Sequence, residues 1–120
     1  MKLLFVFIGG GLGSVSRYGI GILAKQFFSG NFPLGTLFAN VISCVILGAV
    51  AVYYAGKDGE MTKALMIAGF CGGLSTFSTF SYETLDLFRN GSWFIAMMNI
   101  LISTVACILI LWLISKYPIK

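Results

Sequence analysis

The 120-residue chain contains no histidine, which removes imidazole both as a metal ligand and as a general base. Acidic residues are almost as scarce: Asp58, Glu60, Glu83 and Asp86 are the only four. With the eight lysines and arginines they make charged residues 10 % of the sequence, where a soluble domain carries roughly 25 %. Apolar residues make up 58 % and the mean hydropathy is +0.96. A soluble core of this size could not hide so much apolar surface. No nucleophile–base pair or metal-ligand set is visible, so an enzyme is the least favoured class. The net charge is +4, but the basic residues are scattered and form no patch for nucleic acid. There are three cysteines, Cys44, Cys71 and Cys107. Each lies within an apolar stretch, far in sequence from the others, and reads as a small buried apolar residue.

What the chain does have is four apolar segments, at about 3–26, 34–55, 63–88 and 93–115. Each approaches or exceeds the roughly 20 residues needed to cross a bilayer. The linkers are short and carry turn signals: Ser29-Gly30-Asn31-Phe32-Pro33, Gly56-Lys57-Asp58-Gly59-Glu60 and Arg89-Asn90-Gly91-Ser92. Pro118 follows the last segment. The opening Met-Lys and the run Leu3 to Ile8 hint at a signal peptide, but the run continues to Arg17 without a clear cleavage site, so it reads as a retained span. The expectation is an all-α membrane protein, one four-span domain over residues 1–120. Lys2, Lys57, Lys63, Lys116 and Lys120 would share one side and Lys25 and Arg89 the other. This modest bias favours both termini inside.

Glycines recur at close-packing spacing. Gly9 and Gly13 form one G-x-x-x-G pair, and Gly69 and Gly73 another. Such pairs let helix backbones approach closely. The run Gly72-Gly73-Leu74-Ser75-Thr76-Phe77-Ser78-Thr79-Phe80-Ser81 is the anomaly: two glycines, five hydroxyls and two phenylalanines inside an apolar span. Hydroxyls and Phe recur there at three, and on a helix such residues are neighbours on one face. The glycine pair could break the helix and expose carbonyls suited to a hard cation such as sodium. Ring edges carry partial positive charge, and hydroxyls can replace hydrogen bonds to water. From chemistry alone this stretch lines a pore or packs helices.

Other polar residues allow two readings each. Arg17 either attracts anions in a vestibule or lies near an interface and snorkels. Glu83 either has a structural or proton-binding role or pairs across helices. Either charge at a span centre would cost roughly 2.5–3.5 kcal/mol. Asn40, an amide in the second span, either serves a permeant species or bonds a neighbouring helix. Asn99, Ser103 and Cys107 are four apart and share one face of the last span, as a pore wall or as helix-packing contacts.

Taken together, Gly9-Gly10-Gly11-Leu12-Gly13 with Arg17-Tyr18, Pro33-Leu34-Gly35-Thr36-Leu37 with Asn40, and the Gly72-to-Ser81 run with Glu83 resemble the Fluc fluoride channels, also called the CrcB family. The resemblance covers nearly the whole chain. It implies an antiparallel, dual-topology dimer with two fluoride pores in the cell membrane of a microbe, exporting fluoride passively and conferring resistance to it. It implies that Phe77 and Phe80 line the pore with Asn40, and that Ser78 and Thr79 join the polar track. It also implies a structural sodium ion at the dimer centre, held by backbone carbonyls of a break in the third helix, a role that falls to Gly72 and Ser75. The family often has threonine where this chain has Ser75, a mild change for a backbone ligand. It often has tyrosine and serine on the pore face of the last span, where this chain has Asn99 and Cys107 with Ser103 between them. The partner would be a second copy of the chain, or a homologous subunit of opposite orientation.

Two other classes compete. A small proton-coupled exporter needs a membrane-embedded carboxylate, for which Glu83 is the candidate. A non-transporting stabilising subunit would not require the hydroxyl and phenyl stripes.

Overall fold

The computed structural model describes residues 1–117, which are helical with short connections and contain no strand. Pro118 and Lys120, noted above, lie outside the described residues. Helix α1 runs Lys2–Phe27 and α2 runs Leu34–Tyr53. The third span begins with α3, Glu60–Lys63, continues as a π-helical stretch Ala64–Cys71 and one turn, α4, Gly72–Leu74, and resumes as α5, Ser78–Arg89. Helix α6 is Trp93–Ser115. Four helical segments are long and apolar enough to cross a membrane: Lys2–Phe27, Leu34–Tyr53, Glu60–Arg89 and Trp93–Ser115. At 1.5 Å per residue, even the 20-residue α2 reaches about 30 Å, the thickness of a bilayer's hydrocarbon core.

The distribution of side chains suits that solvent. Leu3, Phe7, Val15, Phe94 and Ile108 point outward, while the buried set is Ala39, Cys71, Leu74, Leu87 and Ala96 with the polar Ser43, Thr84, Asn99 and Ser103. Lipid tails leave no hydrophobic drive to bury large residues, so helices associate through small residues and interhelical hydrogen bonds.

The glycine pairs explain the closest helix contact. Helix α1 packs mainly on the π-helical stretch, and also on α4 and α2. A Cβ added at Gly69 would lie 2.8 Å from the Val6 carbonyl oxygen and 3.0 Å from the Gly9 Cα. One at Gly13 would lie 2.9 Å from the Leu74 amide nitrogen, and one at Gly73 3.0 Å from the Ser14 nitrogen. The two G-x-x-x-G pairs therefore mesh with each other, backbone against backbone. A π turn is wider than an α turn and rare beyond a single turn; here it coincides with this contact.

Chain reversals fall where turn residues were expected. Gly56, Gly59 and Gly91 have positive φ of 71°, 142° and 79°, a backbone region open to glycine at little cost. Pro33 precedes the first residue of α2, where its missing N–H is no loss. An ion pair between Lys2 and Glu60 joins the start of α1 to the start of α3, so the N-terminus and the second connection lie at one end. Gly48, late in α2, packs on Ile114, late in α6, which brings the end of α6 to that end as well. Lys57 sits over the Tyr53 ring at 4.2 Å and Lys116 over Trp112 at 3.6 Å, cation and aromatic anchors typical of a membrane border.

Candidate functional site

The helical hydrogen-bond ladder is interrupted between α4 and α5. The Ser75 hydroxyl turns back to donate to the Cys71 carbonyl at 2.7 Å, beside the Ser75 amide at 2.9 Å. The Ser43 hydroxyl reaches the same carbonyl from α2 at 3.1 Å. Ser75 itself is extended, with φ −79° and ψ 154°. Thr76 then bonds to a side chain instead of the preceding turn. Its amide donates to Asn40 Oδ1 at 2.8 Å, and Asn40 Nδ2 donates to its carbonyl at 3.3 Å. The Thr76 hydroxyl accepts from the Thr79 amide at 3.1 Å, satisfying one of the free donors at the start of α5. Among the described residues, no hydrogen bond reaches the carbonyl oxygens of Gly72 or Ser75.

Two hollows meet at this interruption. The larger, about 680 Å³, is bordered by Arg17, Lys25, Thr36, Thr79, Tyr82 and Glu83. The smaller is a groove of about 360 Å³ walled by Asn40, Cys44, Phe77, Phe80, Ser103 and Cys107. Thr76 borders both. Phe77 and Phe80 have ring centroids 5.9 Å apart and are tilted by 36°. Phe77 is 80 % exposed on the single chain, whereas Phe80 is half-buried.

Asn40, Phe77, Phe80 and Ser103 share the groove wall, and Ser75 joins them. Thr79 faces the larger cavity. Ser78 is exposed and lies 3.3 Å from the Thr76 hydroxyl. Asn99 is 1 % exposed and borders neither hollow. Its Nδ2 donates to Thr84 Oγ1 at 2.9 Å and its Oδ1 accepts from Ser103 at 3.2 Å. Thr84 in turn donates to the Phe80 carbonyl at 2.7 Å, so a buried polar chain runs from α6 to the backbone of Phe80. Arg17 reaches across from α1: Nε donates to the Gly73 carbonyl at 3.1 Å and Nη1 to the Thr79 hydroxyl at 3.4 Å. Glu83 accepts a hydrogen bond from the Thr36 hydroxyl. Sequence reasoning named Thr36 only within the Pro33-to-Leu37 motif, without a role, and did not pick out Thr84. A hydroxyl within an apolar span is the signal each carries, but its partner lies on another helix.

Fold and site define a small helical membrane protein with four segments long and apolar enough to span a bilayer, the third interrupted at Ser75 to Phe77. The chain belongs to the family described as CrcB-like protein, Camphor Resistance (CrcB), whose model matches residues 4–114. It is 42 % identical over 115 residues to a protein of Shewanella woodyi, covering 93 % of this chain and 91 % of that protein. It is 40 % identical over 114 residues to one from Dehalococcoides mccartyi, covering 93 % and 88 %. A Coxiella burnetii protein is 35 % identical over 116 residues, covering 94 % of each. All three relatives bear the name fluoride-specific ion channel FluC.

Proposed function

We propose that this chain is a fluoride-selective ion channel, not an enzyme, that lets fluoride leave the cell passively. Family membership and the names of its relatives support the ion. The observation that carries the route is the position of Thr76 between the cavity and the phenylalanine groove. Fluoride enters the cavity, where Arg17 and Lys25 supply positive charge. It meets the Thr79 hydroxyl in the cavity, passes Thr76 and Asn40 with the Ser78 hydroxyl beside Thr76, and then follows the edges of Phe77 and Phe80, with Ser103 on the facing helix. A ring edge attracts an anion without a full charge to trap it, and conduction needs sites weak enough to leave. Asn99 acts on this track through Ser103 and Thr84.

The working unit in this reading is an antiparallel dimer of two copies in the plasma membrane. Phe77, open to the outside of one chain, is then covered by the partner. The interruption at Ser75 to Phe77, just past the glycine turn of α4, is a functional break. The free carbonyls of Gly72 and Ser75 fit a hard cation, and they would hold a structural sodium ion between the subunits, lending the junction fixed positive charge.

Purified protein in liposomes loaded with potassium fluoride tests the function. Adding a potassium ionophore should release fluoride quickly and chloride negligibly. Flux that requires a proton gradient would instead indicate an exporter working through Glu83. Expression without any homologue tests the homodimer: conduction that appears only with a second subunit would overturn it.

A further inference from the structure

Cys44 on α2 and Cys107 on α6 stand 63 positions apart in sequence, yet α2 and α6 pack against each other and bring both side chains to one groove. Both are free and half-buried, and both belong to the groove wall. Each follows a polar groove residue by four: Asn40 precedes Cys44, and Ser103 precedes Cys107. Residues four apart share a helix face, so on each helix the cysteine faces the same groove as the polar residue before it. The third cysteine, Cys71, is 1 % exposed and does not border the groove. Among the described residues no cluster of three ligating side chains exists, so the groove offers two sulfurs and no third ligand of that kind.

We infer that Cys44 and Cys107 form a dithiol site for a soft metalloid or metal centre that accepts two sulfur ligands, trivalent arsenic being the best-suited class. Thiolate is the soft ligand among protein side chains. A trivalent organoarsenical oxide reacts without redox change. Two arsenic–sulfur bonds form, the arsenic–oxygen bond breaks, and the two thiol protons leave with the oxygen as water. A bound arsenical occupies the groove beside Phe77 and Phe80. Its effect on flux, unlike its binding, rests on the reading of that groove as the ion path.

The probe is phenylarsine oxide, applied to the purified protein with Cys71→Ala to leave only the pair. Intact-mass measurement should show a single phenylarsenic group per chain. Because the second sulfur binds intramolecularly, the adduct should survive a roughly 10²-fold excess of monothiol and yield to 2,3-dimercaptopropanol. Cys44→Ser and Cys107→Ser, each checked for native helicity, should both lose the adduct to monothiol. An adduct that persists in either single variant, or none in the parent protein, overturns the dithiol site. The protein with Cys71 retained gives the same readout should the alanine variant not fold. Fluoride efflux with and without the arsenical is then compared. A stable adduct with loss of flux supports both readings. A stable adduct with unchanged flux leaves the dithiol standing and overturns the groove as the ion path.

Discussion

The Asn40 side chain pairs with both backbone groups of Thr76, accepting from its amide at 2.8 Å and donating to its carbonyl at 3.3 Å. One amide thus replaces the two bonds that a continuous helix would have given this residue. In a bilayer no water would supply them. Asn40→Ala should therefore act twice. Unpaired buried groups cost about 1–3 kcal/mol, so detergent-solubilised protein should show a lower denaturation midpoint. Fluoride efflux should also fall about tenfold or more, the change that about 1.4 kcal/mol at the barrier produces. Wild-type midpoint and flux together would show that the clamp is dispensable.

Helix α1 allows a comparison between neighbouring glycines. Gly13→Ala would set its Cβ 2.9 Å from the Leu74 amide, whereas Gly11→Ala would meet nothing within 4 Å. The first requires backbone to move and should cost about 1–3 kcal/mol, as overpacking does. The second removes glycine's entropy cost from a helix interior and should be neutral or stabilising by up to about 1 kcal/mol. Unfolding midpoints of the two variants check this; equal values would mean that α1 and α4 do not mesh as described.

How much of this was legible in the sequence differs between the spans and the site. Hydropathy picked out four apolar segments because lipid rewards uninterrupted apolar length, and four helices long and apolar enough to cross a membrane are observed. Gly9, Gly13, Gly69 and Gly73 announced close packing by spacing alone, although not that the two pairs would meet each other. The run from Gly72 to Ser81 stood out for its composition, but its geometry depends on residues far away. The glycines remain helical in α4, and the irregular backbone falls at Ser75 to Phe77. Asn40 is 36 positions from Thr76, and Arg17 is 56 from Gly73. Those separations leave no periodic trace in a single sequence. For the same reason nothing in the sequence shows that Cys44 and Cys107 line one groove.

Arg17 illustrates what the geometry adds to a lone charge. Its guanidinium spans the Gly73 carbonyl and the Thr79 hydroxyl, one on each side of the interruption. A lysine ammonium keeps the charge but cannot present the same planar fork. Arg17→Lys should lower both the unfolding midpoint and fluoride efflux, with a loss of about 0.5–1.5 kcal/mol for each hydrogen bond not remade. Full retention of both would reduce Arg17 to a source of positive potential in the cavity.

The phenylalanine pair gives the most direct test of selectivity. Phe77 and Phe80 sit 5.9 Å apart in the groove, and Thr84 and Asn99 brace the Phe80 backbone from behind. Phe80→Ile keeps an apolar side chain and leaves that brace in place, since Thr84 bonds the carbonyl and not the ring. What it removes is the positive ring edge. Fluoride efflux should fall strongly, by roughly tenfold or more if the edge contributes about 1.4 kcal/mol at the barrier, while the oligomeric state in detergent stays as in the parent protein. Asn99→Ala should show the complementary pattern. It leaves the ring but removes the donor to Thr84, so the unfolding midpoint should drop by an amount equivalent to about 1–3 kcal/mol. Its flux should fall less than that of Phe80→Ile. If Phe80→Ile conducts like the parent, the Phe80 ring edge does not carry the ion, and Phe77, Asn40 and the hydroxyls of Ser78, Thr79 and Ser103 must do so without it.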